Sequence, residues 1–275
     1  MKIDNSRTNS TKGYQFDQVF DESATQEAIF KRTRAEYLIK QVLTGFHATI
    51  FVYGQTGSGK TFTMEGYKYA RPQPVSQAPG MAPPHPAPII NRKSATVESA
   101  AGVEDASLQA ALTEEGIIPR AIRELFEQVK KKREETQTKI TIKVQYIQLY
   151  NEKVYDLLNS NAQKKAFDGK KKPTQSQGLK LKMNALTDEV TIENVYIFEC
   201  SSMEDGFKYF WKGLKNKVMS SHNMNQSSSR SHCILTFIVY QQDLSKNDPS
   251  AQIVSKLQLV DLAGSERQSH TTNFD

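Results

Sequence analysis

Long apolar runs are missing from this sequence. Cys233–Tyr240 is among the longest, far short of the roughly 20 residues that a membrane-spanning helix needs. The opening stretch, Met1 to Lys12, is polar and lacks the apolar segment of a signal peptide. Cysteine is scarce, with only 2 residues in 275. Both Cys200 and Cys233 lie inside apolar, strand-like runs without metal-ligand spacing. A disulfide framework is therefore excluded, and a reduced cytosolic compartment fits best. The 5 histidines are scattered, so no zinc site is expected. No G-x-S-x-G elbow is present to support a serine hydrolase.

The sequence does contain three polar, glycine- and serine-rich motifs. The first is Gly54-Gln55-Thr56-Gly57-Ser58-Gly59-Lys60-Thr61, which fits the P-loop pattern G-x-x-x-x-G-K-[ST]. Its glycines allow consecutive backbone N–H groups to turn inward around nucleotide phosphates. Lys60 is placed to reach the β- and γ-phosphates, and the Thr61 hydroxyl to hold Mg²⁺. Ile50-Phe51-Val52-Tyr53 leads into the loop and reads as a buried strand. The second motif is Asn225-Gln226-Ser227-Ser228-Ser229-Arg230-Ser231-His232, and the third is Asp261-Leu262-Ala263-Gly264-Ser265-Glu266. An NTPase that senses a γ-phosphate needs a polar segment that closes over it and a second loop whose backbone bonds it. Ser228, Ser229 and Arg230 suit the first need; Asp261, three residues before Gly264, suits the second.

N-x-x-S-S-R-S-H followed by D-L-A-G-S-E resembles the paired switches of kinesin motor domains. The loop that continues as G-K-T-F-T-M-E-G is similar to the kinesin P-loop. The resemblance runs from Tyr14-Gln15-Phe16-Asp17-Gln18-Val19-Phe20 to Arg267, with one interruption. It implies an ATP-hydrolysing, microtubule-based motor with ATP and Mg²⁺ as ligands, in the cytoplasm on the cytoskeleton. By the same resemblance, Phe62 packs beside the adenine and Ser229 adds a second oxygen to Mg²⁺. Gly264 donates its N–H to the γ-phosphate. Arg230 and Glu266 form an ion pair between the switches, which holds the attacking water. A small GTPase is disfavoured because no N/T-K-x-D base-reading motif follows Glu266.

The sequence departs from the family pattern in three places. No R-x-R-P motif precedes Tyr14. Lys217 and His222 stand where the family more often has arginine and threonine. The chain closes soon after the second switch, where the family's main microtubule-binding helix and neck would follow. The expectation is a motor domain incomplete at both ends, with a non-motile nucleotide or weak microtubule binding module as the alternative.

The net charge is +6, partly clustered. Lys164, Lys165, Lys170, Lys171 and Lys172 share one polar stretch, and Lys130 to Arg133 end a helix. Such fields favour an acidic partner. The first cluster falls where kinesins make a secondary contact with tubulin, and no nucleic acid or membrane partner is expected. The stretch from Tyr67 to Thr113 holds seven of the 10 prolines and no apolar periodicity. It reads as a disordered insertion.

Elsewhere apolar periodicity predicts one helix over Glu22–Val42, with Ile29, Tyr37/Leu38 and Val42 on one face, and a central strand over Thr49–Tyr53. It also predicts a helix through Ile118, Ala121/Ile122, Leu125/Phe126 and Val129, and a strand over Lys139–Tyr150. Two short strands follow, near Leu179–Met183 and Val190–Phe198. A helix capped by Ser202 and Asp205 then buries Phe207, Phe210/Trp211, Leu214 and Val218. Cys233–Tyr240 is apolar on both faces, and Ile253, Ser255, Leu257 and Leu259 alternate towards Asp261. Strands interleaved with helices around a P-loop predict a three-layer α/β sandwich on a mostly parallel or mixed sheet.

Overall fold

The computed structural model describes residues 2–5, 10–66, 114–159, 178–185, 189–223, 230–245 and 251–266. The insertion expected at 67–113 and the lysine cluster at 164–172 lie outside the described residues. In chain order the elements begin with β1 (Lys2–Asn5), β2 (Ser10–Gly13), α1 (Gln26–Arg32), α2 (Ala35–Val42), β3 (Ala48–Val52) and α3 (Lys60–Glu65). Then come α4 (Ile117–Glu135), β4 (Thr138–Tyr150), β5 (Lys153–Asp156), β6 (Leu181–Met183), β7 (Val190–Ile192) and β8 (Phe198–Cys200). The last are α5 (Met203–Asn223), β9 (Ser231–Asp243) and β10 (Gln252–Asp261).

The main sheet has six strands in the order β3-β10-β9-β4-β5, with β8 also paired to β4. It is mixed: β3 runs parallel to β10, while β9 is antiparallel to both β10 and β4. The doubly apolar strand of the sequence is β9, paired on both edges; Leu235, Phe237 and Val239 on one face and Ile238 on the other are all buried. On the inner face Val144, Tyr146, Leu235, Phe237, Leu257 and Leu259 are all 0–1% exposed. Helices α2, α4 and α5 contribute Ile39, Ile122, Leu125 and Phe210 to the same core. Burying each such side chain contributes roughly 1.5–3 kcal/mol.

Most of the predicted periodicity is found here. Ile118, Ala121, Ile122, Leu125, Phe126 and Val129 are the buried stripe of α4, with Pro119 in its first turn. Ser202 Oγ accepts the Asp205 N–H at 3.3 Å, and Asp205 Oδ2 accepts the Ser201 N–H at 3.1 Å, which caps α5 from both directions.

Three expectations need correction. The first helix is two helices: Arg34 adopts a left-handed conformation (φ 58°) between them, and the turn re-aims the second. Ile39 is then fully buried alongside the expected Val42, and Tyr37 is 56% exposed. Strand β3 is not central, because among the described residues β10 is its one strand partner. Phe51 and Tyr53 are 61% and 73% exposed rather than buried, because they alternate with Ala48, Ile50 and Val52, which face the core. The strand read over 190–198 is two: β7 forms a hairpin with β6, Asn194 turns at φ 60°, and β8 joins β4. The β1–β2 hairpin has no counterpart in the sequence reading.

Candidate nucleotide site

Parallel pairing brings two of the three motifs together. Because β3 and β10 run in the same direction with Val52 opposite Asp261, the loops leaving their carboxyl ends emerge side by side. In open α/β sheets that position is where ligands bind. The loop from Gly54 to Gly59 turns on a bond from the Ser58 N–H to the Gln55 carbonyl at 3.2 Å. Gly59 opens α3 at φ 89°, a conformation that an L side chain adopts only at a cost. The Lys60 ammonium donates to the Gln55 carbonyl at 2.8 Å, so it stands across the mouth of the loop.

The Asp261 loop is fastened to this P-loop at several points. The Thr61 hydroxyl donates to Asp261 Oδ2 at 2.8 Å. The Ser265 N–H donates to the Gly54 carbonyl at 3.0 Å. The Thr56 N–H donates to Glu266 Oε2 at 2.9 Å, and the Thr56 hydroxyl donates to Glu266 Oε1. The Thr56 hydroxyl, followed by backbone N–H groups, holds the Glu266 carboxyl below its ordinary range. Gly264 lies under that carboxylate, where an added Cβ would push the Glu266 side chain aside. From the other side, the Ala263 N–H donates to His232 Nδ1 at 3.1 Å. That bond assigns the imidazole proton to Nε2.

Behind the loop lies a buried charge cluster. The Lys217 ammonium, on α5, donates to Glu65 Oε1 at 2.8 Å and to Asp261 Oδ2 at 3.2 Å. All three side chains are at most 8% exposed. Burial alone would drive Lys217 towards its neutral form, but the facing carboxylates outweigh it and hold the ammonium charged. Burial pushes the Glu65 carboxyl up, against the pull of Lys217. Gln26, on α1, adds one more tie, its Nε2 donating to the Phe62 carbonyl at 2.7 Å.

The expected site residues divide into three groups. Gly54, Gln55, Thr56, Gly57, Ser58, Gly59, Lys60 and Thr61 form one loop against Asp261, Gly264 and Glu266. Phe62, at 43% exposure, stands in the first turn of the adjoining helix with an accessible ring. Arg230 is exposed and has no ion-pair partner among the described residues. Glu266 is on Thr56 instead, so the structure does not bring Arg230 and Glu266 together. Ser228 and Ser229 lie outside the described residues. The sequence reading assigned no role to Glu65, Gln26 or His232, and noted Lys217 only as a departure.

Hard oxygen donors suit Mg²⁺, and the residues present fit it. Asp261 Oδ1 is buried without a hydrogen-bond partner among the described residues. It adjoins the Thr61 hydroxyl, whose proton is already committed to Oδ2. Among the described residues no cluster of three or more His, Cys, Asp or Glu side chains could hold a metal on its own. No helix among them is long and apolar enough to cross a membrane.

The kinesin motor domain family model matches residues 1–275. Chromosome-associated kinesin KIF4 of Mus musculus is 34% identical over 260 residues, 94% of this chain and 17% of that protein. Kinesin-like protein 5 of Schizosaccharomyces pombe is 30% identical over 259 residues, 94% of this chain and 23% of that protein. The chain thus spans between about a sixth and a quarter of the length of such relatives. A solved structure of a fast kinesin superposes with a TM-score of 0.69 at 24% identity, covering 98% of this chain and 58% of that one. At that identity the superposition shows the fold.

Proposed function

Because the chain belongs to the kinesin motor-domain family, we propose that it binds Mg-ATP on the loop from Gly54 to Thr61 and hydrolyses it, and that in the working motor this turnover drives movement along microtubules. The observation that carries the reading is the Thr61–Asp261 hydrogen bond at 2.8 Å. It ties the two phosphate loops into one pocket at the carboxyl ends of parallel strands.

The chain's own residues divide the work. Backbone N–H groups of Gln55 to Thr61 cradle the phosphates, and Lys60 exchanges the Gln55 carbonyl for phosphate oxygens. Phe62 offers its exposed ring to the adenine. Thr61 and Ser229 are the oxygens that would hold Mg²⁺, with Asp261 behind them; when bound, the ion neutralises charge developing on the phosphates. The Gly264 N–H meets the γ-phosphate, and Glu266 leaves Thr56 to pair with Arg230. That pair holds the attacking water in line, which is positioning rather than strong-base chemistry. The lysines at 164, 165, 170, 171 and 172 offer an electrostatic contact to the acidic tubulin surface. On this reading the protein works on the microtubule cytoskeleton, as its family does. A non-motile binding module is the less favoured reading.

Titration of the 275-residue chain with a fluorescent ATP analogue tests the pocket. Lys60→Ala is expected to weaken affinity by about 2–4 kcal/mol, and equal affinity for both proteins would remove Lys60 from the site. Co-sedimentation with microtubules across salt tests the partner. Binding through the lysine cluster should fade as the screening length falls from about 10 Å at 0.1 M to 3 Å at 1 M.

A further inference from the structure

We infer that the cleft beside the turn between α1 and α2 is a second small-molecule site, shaped and charged for a small aromatic carboxylate. Its volume is about 670 Å³, and its walls include Phe16, Phe20, Arg32 and Arg34. Ligand sites commonly measure about 300–1,000 Å³. The cleft is distinct from the phosphate loops. It lies at the carboxyl end of α1, whereas Gln26, which reaches the Phe62 carbonyl, stands at the amino end.

The two guanidinium groups are held differently. Arg32 is fixed: its Nη2 donates to Gln18 Oε1 at 2.9 Å, and its Cζ stands 4.9 Å from the centroid of the Phe20 ring. The Arg34 side chain makes no ion pair among the described residues. Arg34 is the N-cap residue of α2, yet its side chain does not cap the helix. Its backbone is left-handed, with φ 58° and ψ 30°, a conformation that glycine or asparagine adopts at lower cost. Backbone strain of this kind gathers at ligand sites, where the surroundings hold a side chain in place for binding. Here that side chain is an unengaged guanidinium.

The charges in the cleft select the ligand. Asp17 also lines it, so two guanidiniums face one carboxylate and one positive charge is left over. Asp21, which also feels Arg32, is occupied by the Ser23 amide and hydroxyl at 3.0 and 2.6 Å. Thr33 commits its hydroxyl to the Ile29 carbonyl at 2.7 Å. A single negative charge therefore suits the site, and a planar carboxylate accepts two parallel N–H bonds from one guanidinium. The need for a ring comes from Phe16, which is 59% exposed. An inorganic anion would leave that ring wet, whereas an aryl group laid on it removes apolar surface from water.

The test titrates the full chain, free of nucleotide, with naphthoate by isothermal calorimetry. Naphthol supplies the ring without the charge, and acetate the charge without the ring. Naphthoate should bind at least about tenfold tighter than either. Arg34→Gly should weaken naphthoate by at least about tenfold. That variant keeps the left-handed turn, so its melting temperature should not fall. Phe16→Ala should weaken naphthoate by about three- to tenfold. Naphthoate that binds no tighter than naphthol, or equally well to folded Arg34→Gly, overturns the inference, as does wild-type chain that shows no binding. Melting reports the fold of each variant without nucleotide, so the outcome stands apart from the Mg-ATP reading.

Discussion

Two carboxylate contacts hold the Asp261–Glu266 segment to its surroundings, and they differ in almost every physical respect. Asp261 is buried, shares a lysine with Glu65 and accepts from Thr61. Glu266 sits in solvent and accepts from the backbone and hydroxyl of Thr56. Breaking the first leaves an uncompensated buried charge; breaking the second hands a carboxylate back to water, which solvates it well. The segment therefore has a fixed end and a releasable end only five residues apart. A loop that must sense a phosphate and then report it needs both.

Removing the fixed end should have the largest effect. Lys217→Met is expected to lower unfolding free energy by about 3–5 kcal/mol, read from urea denaturation. A loss below about 1 kcal/mol would erase the distinction between the two ends.

Changing the releasable end should act on turnover instead. Arg230→Gln or Glu266→Gln should leave ATP affinity within about twofold and the melting temperature within about 2 °C, while slowing hydrolysis. Exchanging the two charges together should recover part of the rate if pairing is what matters. Single variants with normal turnover would deny Glu266 its second partner.

The smallest effect is expected from the segment between residues 66 and 114. Gly66 and Glu115 pair in an isolated β-bridge, and a Cβ on Gly66 would meet the Glu114 carbonyl at 2.4 Å. The two flanks already touch. Replacing 67–113 with a short Gly/Ser link should shift melting by only a few degrees, because closure entropy grows slowly with loop length. A large drop would show that the segment contributes to the core.

How much of this was legible beforehand depended on the kind of signal. The P-loop, the Asp261 loop and the α4 stripe were readable because local pattern determines them: glycine spacing, a strand end, a 3.6-residue period. The break at Arg34 was not, since no glycine or proline marks it and only packing of α2 on the core demands the turn. The edge position of β3 was hidden because an apolar run reads alike in a central or an edge strand. Lys217 was half visible. With Phe210 and Leu214 it falls on the buried face of α5, where a lysine implies a carboxylate partner. What the sequence could not name was Glu65, 152 residues away in the chain. The partner of Glu266 differs from the expectation: the resemblance points to Arg230, whereas here the carboxylate lies on Thr56.

The proposed exchange at Glu266 is read directly from a crystal structure of the chain with Mg²⁺ and a non-hydrolysable ATP analogue. The expected result is an Arg230–Glu266 ion pair within about 4 Å, the Thr56 contacts released, and the Lys217–Asp261 contact still in place. Glu266 still bound to Thr56 beside an occupied P-loop, or Lys217 drawn away from Asp261, would contradict it.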